Sequence, residues 1–238
     1  MKRETTNRIR YVLEELIPPV IRDLTPMRWL FRLYWGRLVD DLATFKANIH
    51  HVTDEEYGDI YARLPRIQDE TDNSTACLTR IAKDVTRGEV LDVGCGAAYL
   101  IGYLQNSADV KASYTGIDVF IDDGTRKRFP DAAFQEAQVE ALPFADNAFD
   151  TVICTHVLEH VLDLRVAIAE LRRVCRGRLI VVVPREREYL FGFNPHIHFF
   201  PYKHSFLRQM IPVPADAISE NIGRDIYYRE DMEEGTSN

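Results

Sequence analysis

The chain has 238 residues, 46% apolar and 28% charged, which is enough to bury a core without disulfide or metal staples. Its 29 basic and 37 acidic side chains leave a net charge of −8, which argues against a protein that coats nucleic acid through a dense basic face. The cysteines Cys77, Cys95, Cys154 and Cys175 form no CxxC pair and read as reduced thiols of a cytoplasmic protein rather than a disulfide framework or zinc site.

The charged start MKRETTNRIR leads into no signal-peptide apolar run, and no stretch of about 18 apolar residues predicts a spanning helix. Residues 1–75 carry both tryptophans and several apolar stripes at helical spacing. Ile9, Val12, Leu13, Leu16 and Ile17 make one stripe, ended by Pro18-Pro19. Trp29 to Phe45 makes a second, and Asp54-Glu55-Glu56 opens a third helix with Tyr57, Ile60 and Tyr61. The stretch Arg28–Arg37 mixes aromatic and basic side chains. It reads as the buried face of a helical cap that sets substrate choice, with a partner surface or peripheral membrane contact as alternatives.

From Asp72 the pattern becomes an alternation. Asp72, Asn73 or Ser74 caps a helix through Val85. Strands are expected at Glu89–Val93, Tyr114–Asp118, Ala133–Gln138, Thr151–Cys154 and Arg178–Val183. Helices are expected from the glycine turn to Gln105, over Asp122–Phe129 and over Asp163–Cys175. Runs such as LIVVV and DTVIC are continuously apolar, as in parallel strands covered on both faces. Ala217–Ile222 and Asp225–Arg229 flank Gly223 as a closing antiparallel hairpin. The expected fold is a doubly wound α/β sheet.

Val90-Leu91-Asp92-Val93-Gly94-Cys95-Gly96-Ala97-Ala98-Tyr99 is a strand, a glycine turn and a helix start, which places a nucleotide-like ligand at the carboxyl edge of the sheet. A dinucleotide fingerprint wants a third glycine where Tyr99 stands, and the bulk of Tyr99 would block close helix–strand packing. Asp92 would also repel a pyrophosphate. A ligand with an ammonium and no phosphates, such as S-adenosylmethionine (SAM), suits that carboxylate better. Asp118, about 20 residues on, stands where an acidic residue holds a ribose diol.

VLDVGCG, GIDV and VEALPFADNAFDTVICTHVLEHV resemble the consecutive motifs of the class I SAM-dependent methyltransferases, especially the ubiquinone/menaquinone-methyltransferase-like branch. The resemblance covers about residues 76–230 and implies a Rossmann-like, seven-stranded, mostly parallel sheet with a reversed last strand. It gives a SAM-binding core over residues 76–238 behind the N-terminal helical cap. It implies that Asp92 and the Gly94-Cys95-Gly96 backbone meet the methionine part of SAM. Asp118 would hold the ribose, Val119 would pack on the adenine, and Gln138, Val139 and Glu140 would line the adenine edge. Thr155 and His156 would border the reacting methyl. The sequence departs from the family at Ala98, where a glycine is usual, and at Gln138, where aspartate is common.

The implied activity is in-line methyl transfer to a small-molecule or glycan/lipid-intermediate acceptor, releasing S-adenosylhomocysteine. The alternative is a module that binds SAM without transferring methyl. A hydroxyl acceptor would need a general base, with His156, His196 and Glu159 as candidates. His196 lies in a segment similar to an H-x-x-F-F turn of the same branch, which passes near the substrate pocket; packing of the sheet edge is the alternative. His156-Val157-Leu158-Glu159-His160 also matches the H-x-x-E-H pattern of inverted zinc peptidases. That chemistry needs both histidines on one face of a long helix, whereas this segment directly follows an apolar strand, so no metal is expected.

Overall fold

The computed structural model describes residues 17–53, 56, 71–107, 111–189 and 195–232. The Ile9–Leu16 part of the first expected stripe and the expected third helix around Tyr57 and Tyr61 lie outside the described residues. The chain divides into two compact units: Met1–Asp69 with Glu186–Pro201, and Glu70–Arg185 with Tyr202–Asn238.

The described residues 17–53 of the first, helical unit are mostly in helices, and those of its 186–201 segment form no helix or strand. α1 spans Pro19–Arg22, α2 spans Thr25–Trp35 and α3 spans Leu38–Asn48, followed by a 3₁₀ turn at Ile49–His51. The stripe from Trp29 to Phe45 is therefore two helices. Gly36, at φ +65°, breaks it, because a left-handed residue cannot continue a right-handed helix. Phe31, Val39, Leu42 and Phe45 are buried. Asp40 on α3 accepts from Arg28 Nε at 2.7 Å and forms an ion pair with Arg32 Nε at 2.9 Å. Trp29, Leu30 and Leu33 are exposed at 63%, 54% and 65%, so the 28–37 stretch presents apolar surface as well as burying Phe31. No helix among the described residues is long and apolar enough to cross a membrane.

The second unit is a seven-stranded sheet in the order β3-β2-β1-β4-β5-β7-β6. The strands are β1 Gly88–Val93, β2 Ala112–Asp118, β3 Ala132–Glu136, β4 Phe149–Thr155, β5 Cys175–Pro184, β6 Ile218–Ile222 and β7 Asp225–Asp231. β1 pairs in parallel with β2 and β4, β2 with β3, and β4 with β5. β7 runs antiparallel to both β5 and β6. The Gly223 hairpin is present, with φ +62°. The reversed strand sits between β5 and β6 rather than at the edge.

Helices α4 Thr75–Asp84, α5 Tyr99–Gln105, α6 Asp123–Arg128, α7 Leu164–Val174 and α8 Lys203–Leu207 complete the unit. Of the three candidate caps, Ser74 starts α4, its Oγ accepting the Cys77 N–H at 3.2 Å. Asp122 and Asp163 cap α6 and α7 rather than lying inside them. The β3 expectation runs two residues too far: the strand stops at Glu136, and Gln138 follows it. The core fills both faces of the sheet as expected, with Val90, Ile153, Ile180 and Val182 buried on one and Leu91, Val152, Leu179 and Val181 on the other. All four cysteines are buried, and none of them forms a disulfide.

Candidate functional site

β1 ends at Val93 and the chain turns immediately. Gly94 and Gly96 adopt φ +76° and +52°. The Gly94 and Cys95 N–H groups donate to the Ile117 carbonyl at 2.8 and 2.9 Å, which ties the turn to the end of β2. The Gly96 N–H donates to Asp118 Oδ2 at 2.8 Å. The glycine turn and the acidic strand end, separated in sequence, are thus one hydrogen-bonded feature at the carboxyl edge of adjacent parallel strands.

A Cβ on Gly94 would fall 2.1 Å from Val157 Cγ2. Gly94→Ala is therefore expected to destabilise the protein by roughly 1–2 kcal/mol from the left-handed backbone, with the side-chain clash added. Urea unfolding of Gly94→Ala with and without Val157→Ala separates the two costs. The second change should recover only the clash.

Ala98, the departure from the family pattern, begins α5 at φ +57° and is fully buried. The sheet therefore accommodates the extra methyl in a conformation that favours glycine. Tyr99 corrects an expectation. It is 36% exposed, so its ring is not wedged between helix and strand and does not block their approach. The case against a pyrophosphate rests on Asp92 instead.

Asp92 is 2% exposed, and its Oδ2 is fully shielded with no hydrogen-bond partner. Burial, and after it the charge of Asp118, push its carboxyl up to about 7. A buried carboxylate short of a donor fits a cationic ligand group such as an ammonium. The neighbouring Cys95 thiol is pushed up by burial and by the same two carboxylates, so it is no nucleophile.

Of the residues expected on the adenine, Val119 is 59% exposed just past β2, as an apolar platform requires, and Phe120 beside it is 63% exposed. Val139 is buried, Glu140 half-buried and Gln138 exposed in the segment after β3. Thr155, the last residue of β4, accepts from Asn73 Nδ2 at 2.9 Å, while Asn73 Oδ1 is buried without a partner. Asn73 thus touches a candidate site residue, whereas in the sequence it reads only as a possible helix cap. Nothing local distinguishes the two roles, because its partner lies 82 positions away.

His156 follows β4 at φ +56°, its N–H bonded to the Val182 carbonyl at 2.9 Å. Its Nδ1 lies 3.5 Å from Glu159 Oε1 and its Nε2 3.9 Å from Asp225 Oδ1. Burial alone would lower its pKa. The Glu159 contact and the charges of Asp225, Glu159 and Asp72 outweigh burial, so the net direction is up. Asp225, at the start of β7, also went unseen in the sequence, because it reaches β4 only through the sheet. Residues 158–160 form a turn and not a helix, so the zinc-peptidase pattern lacks the helix it needs. His196 belongs to the helical unit, where its Nδ1 lies 2.6 Å from Glu186 Oε2.

Residues 91–182 match the family profile described as a methyltransferase domain. These residues carry a methyltransferase domain with the class I fold. The domain resembles the uncharacterized methyltransferase YcgJ of Bacillus subtilis, at 32% identity over 39% of each chain. It also resembles the demethylmenaquinone methyltransferase of Mycolicibacterium paratuberculosis, at 29% identity over 65% of this chain and 64% of that one. Among solved structures, the PH0226 protein of Pyrococcus horikoshii shares the fold. The TM-score is 0.53 and the identity 19%, covering 73% of this chain and 98% of that one. The chain spans about two fifths of the length of the first two curated relatives it matches. The matched residues lie within the sheet unit, whose seven strands and reversed last strand are those its motifs imply.

Proposed function

We propose that the chain transfers the methyl group of SAM to a small-molecule or glycan/lipid-intermediate acceptor. The observation that carries this reading is the buried, donor-short Asp92 carboxylate next to a glycine turn hydrogen-bonded to Asp118, within a methyltransferase domain.

When bound, SAM supplies a methyl already activated on a sulfonium. The chain's residues have to bind, orient and exclude water. Asp92 and the Gly94-Cys95-Gly96 backbone take the methionine end, and Asp118 takes the ribose. Val119 offers an apolar face to the adenine, with Gln138, Val139 and Glu140 along its edge. Thr155, which ends β4, and His156 after it would border the methyl.

Two carboxylates stabilise the His156 imidazolium. As a base it therefore works only above its raised pKa, and Glu159 holds its ring through Nδ1. A neutral amine or an already ionised phenol or carboxylate needs no such help. The exposed Trp29, Leu30 and Leu33 support a second role for 28–37 as a membrane-facing surface, although Arg28 and Arg32 are drawn to Asp40.

The test is an acceptor screen with SAM labelled on the methyl group. Label in an acceptor together with stoichiometric S-adenosylhomocysteine is the expected result. SAM that binds saturably but is never consumed would leave the non-catalytic module in its place.

A further inference from the structure

The helical unit contains a second polar cluster, separate from the residues assigned above to SAM. Arg22 ends α1, Lys46 lies on α3, and Glu186, Tyr189, His196 and Phe199 come from the 186–201 segment of the same unit. The Arg22 guanidinium carbon sits 3.8 Å from the centroid of the Tyr189 ring. Lys46 Nζ sits 4.5 Å from that centroid and 5.0 Å from the Phe199 centroid. Arg22 is 5% exposed, and Arg22 Nε and Lys46 Nζ are both fully shielded without a hydrogen-bond partner.

The buried carboxylate at hand is Glu186, 1% exposed. Its Oε1 accepts from the Tyr189 hydroxyl at 2.5 Å and its Oε2 faces His196 Nδ1 at 2.6 Å. Glu188 acts on Lys46 only from an exposed position. The buried carboxylate that acts on Lys46 thus already has other partners.

Ring faces attract cations but accept no strong hydrogen bond, so they replace only part of the lost hydration. The strain shows at Lys46. Burial lowers its pKa to about 8, Glu186 opposes the shift, and Arg22 adds to it. A ligand carboxylate or phosphate brings the two things the cluster is short of, a negative charge and acceptor lone pairs for Nε and Nζ. Lys46 as a whole is half-buried, so its stem links the cluster to the surface.

We propose that the helical unit binds a small molecule through a carboxylate or phosphate group held by Arg22 Nε and Lys46 Nζ beside the Tyr189 ring. Both proposed donors belong to the helical unit, and the proposal stands independently of the methyl-transfer reading.

The test uses the full chain, titrated calorimetrically with inorganic phosphate and with benzoate at pH 7 and constant ionic strength. At least one should bind saturably, and their order identifies a phosphate or a carboxylate ligand. Affinity should fall at least tenfold in Arg22→Gln and in Lys46→Gln, and should largely survive in Lys46→Arg, which keeps the charge. The Lys46 titration, followed by NMR of ¹³C-labelled lysine, should move up from about 8 by at least one unit when the anion saturates. No saturable binding of either anion to the unaltered chain would overturn the proposal. So would equal binding by the glutamine variants, which would make the cluster purely structural. SAM titrations of the same variants should be unchanged, and a protein that binds the anion but not SAM would refute the methyltransferase reading alone.

Discussion

Asp92→Asn is expected to make the ligand-free protein more stable and its hold on SAM weaker. The carboxyl of Asp92 is pushed from 3.8 up to about 7, chiefly by burial. An acid with a raised folded pKa contributes its stability fully below its unfolded pKa and loses it as pH rises through the folded one. The window therefore runs from about pH 4 to about pH 7. Asparagine carries no such penalty, so the variant's advantage should be absent below pH 4, grow across the window and level off above pH 7. A shift of about three units sets its ceiling near ~4 kcal/mol. Urea unfolding of both proteins at pH 4 and pH 8 measures it. Calorimetry with SAM at pH 8 should show at least a tenfold loss of affinity, because the charge partner of the proposed ammonium contact is gone. In the unaltered protein, SAM affinity should fall as pH drops below 7, as the proton that Asp92 then carries must leave. Equal stability of the two proteins at pH 8 would mean that Asp92 is already compensated. Equal affinity would mean that it faces no cation.

Asp118→Ala is expected to lower SAM affinity at least tenfold while leaving the fold intact. Two charge-assisted hydrogen bonds to a ribose diol are worth roughly 1.5–3 kcal/mol each before relaxation. The same carboxylate accepts the Gly96 N–H, so its loss also frees one end of the glycine turn. There is a second signature. The charge of Asp118 helps to raise Asp92, so in Asp118→Ala the Asp92 titration should move down. Unchanged affinity with a shifted Asp92 would place the ribose elsewhere while upholding the electrostatics. Circular dichroism of the variant checks that the sheet is intact.

The alternation of strands and helices was legible because each element carries its own local signal. β4 and β5 hold the β-branched apolar runs TVIC and LIVVV, and the hairpin at Gly223 is a turn residue between two strand-like runs. The boundaries were less so. The β3 expectation ran on to Gln138 because strand propensity does not say where pairing with β2 stops. One apolar stripe from Trp29 to Phe45 hid two helices, since periodicity runs past a single glycine whose φ is fixed by what surrounds it. Tyr99 was judged by size, but its direction depends on the turn at Ala98.

Within the candidate site, the sequence by itself determined the local pieces. It set a glycine turn after an apolar strand, a carboxylate before that turn and another at the end of the next strand. Those positions follow from spacing along one chain, and spacing is what a motif records. Only the tertiary structure decided which groups share a neighbourhood. It bonds Gly96 to Asp118, sets Asn73 on Thr155, and places Asp225 beside His156 across the sheet. It also decided which polar atoms lose water without gaining a partner, as at Asp92, Lys46 and Arg22. Burial and pairing are properties of the packed chain, summed over residues far apart in sequence, so no single segment encodes them.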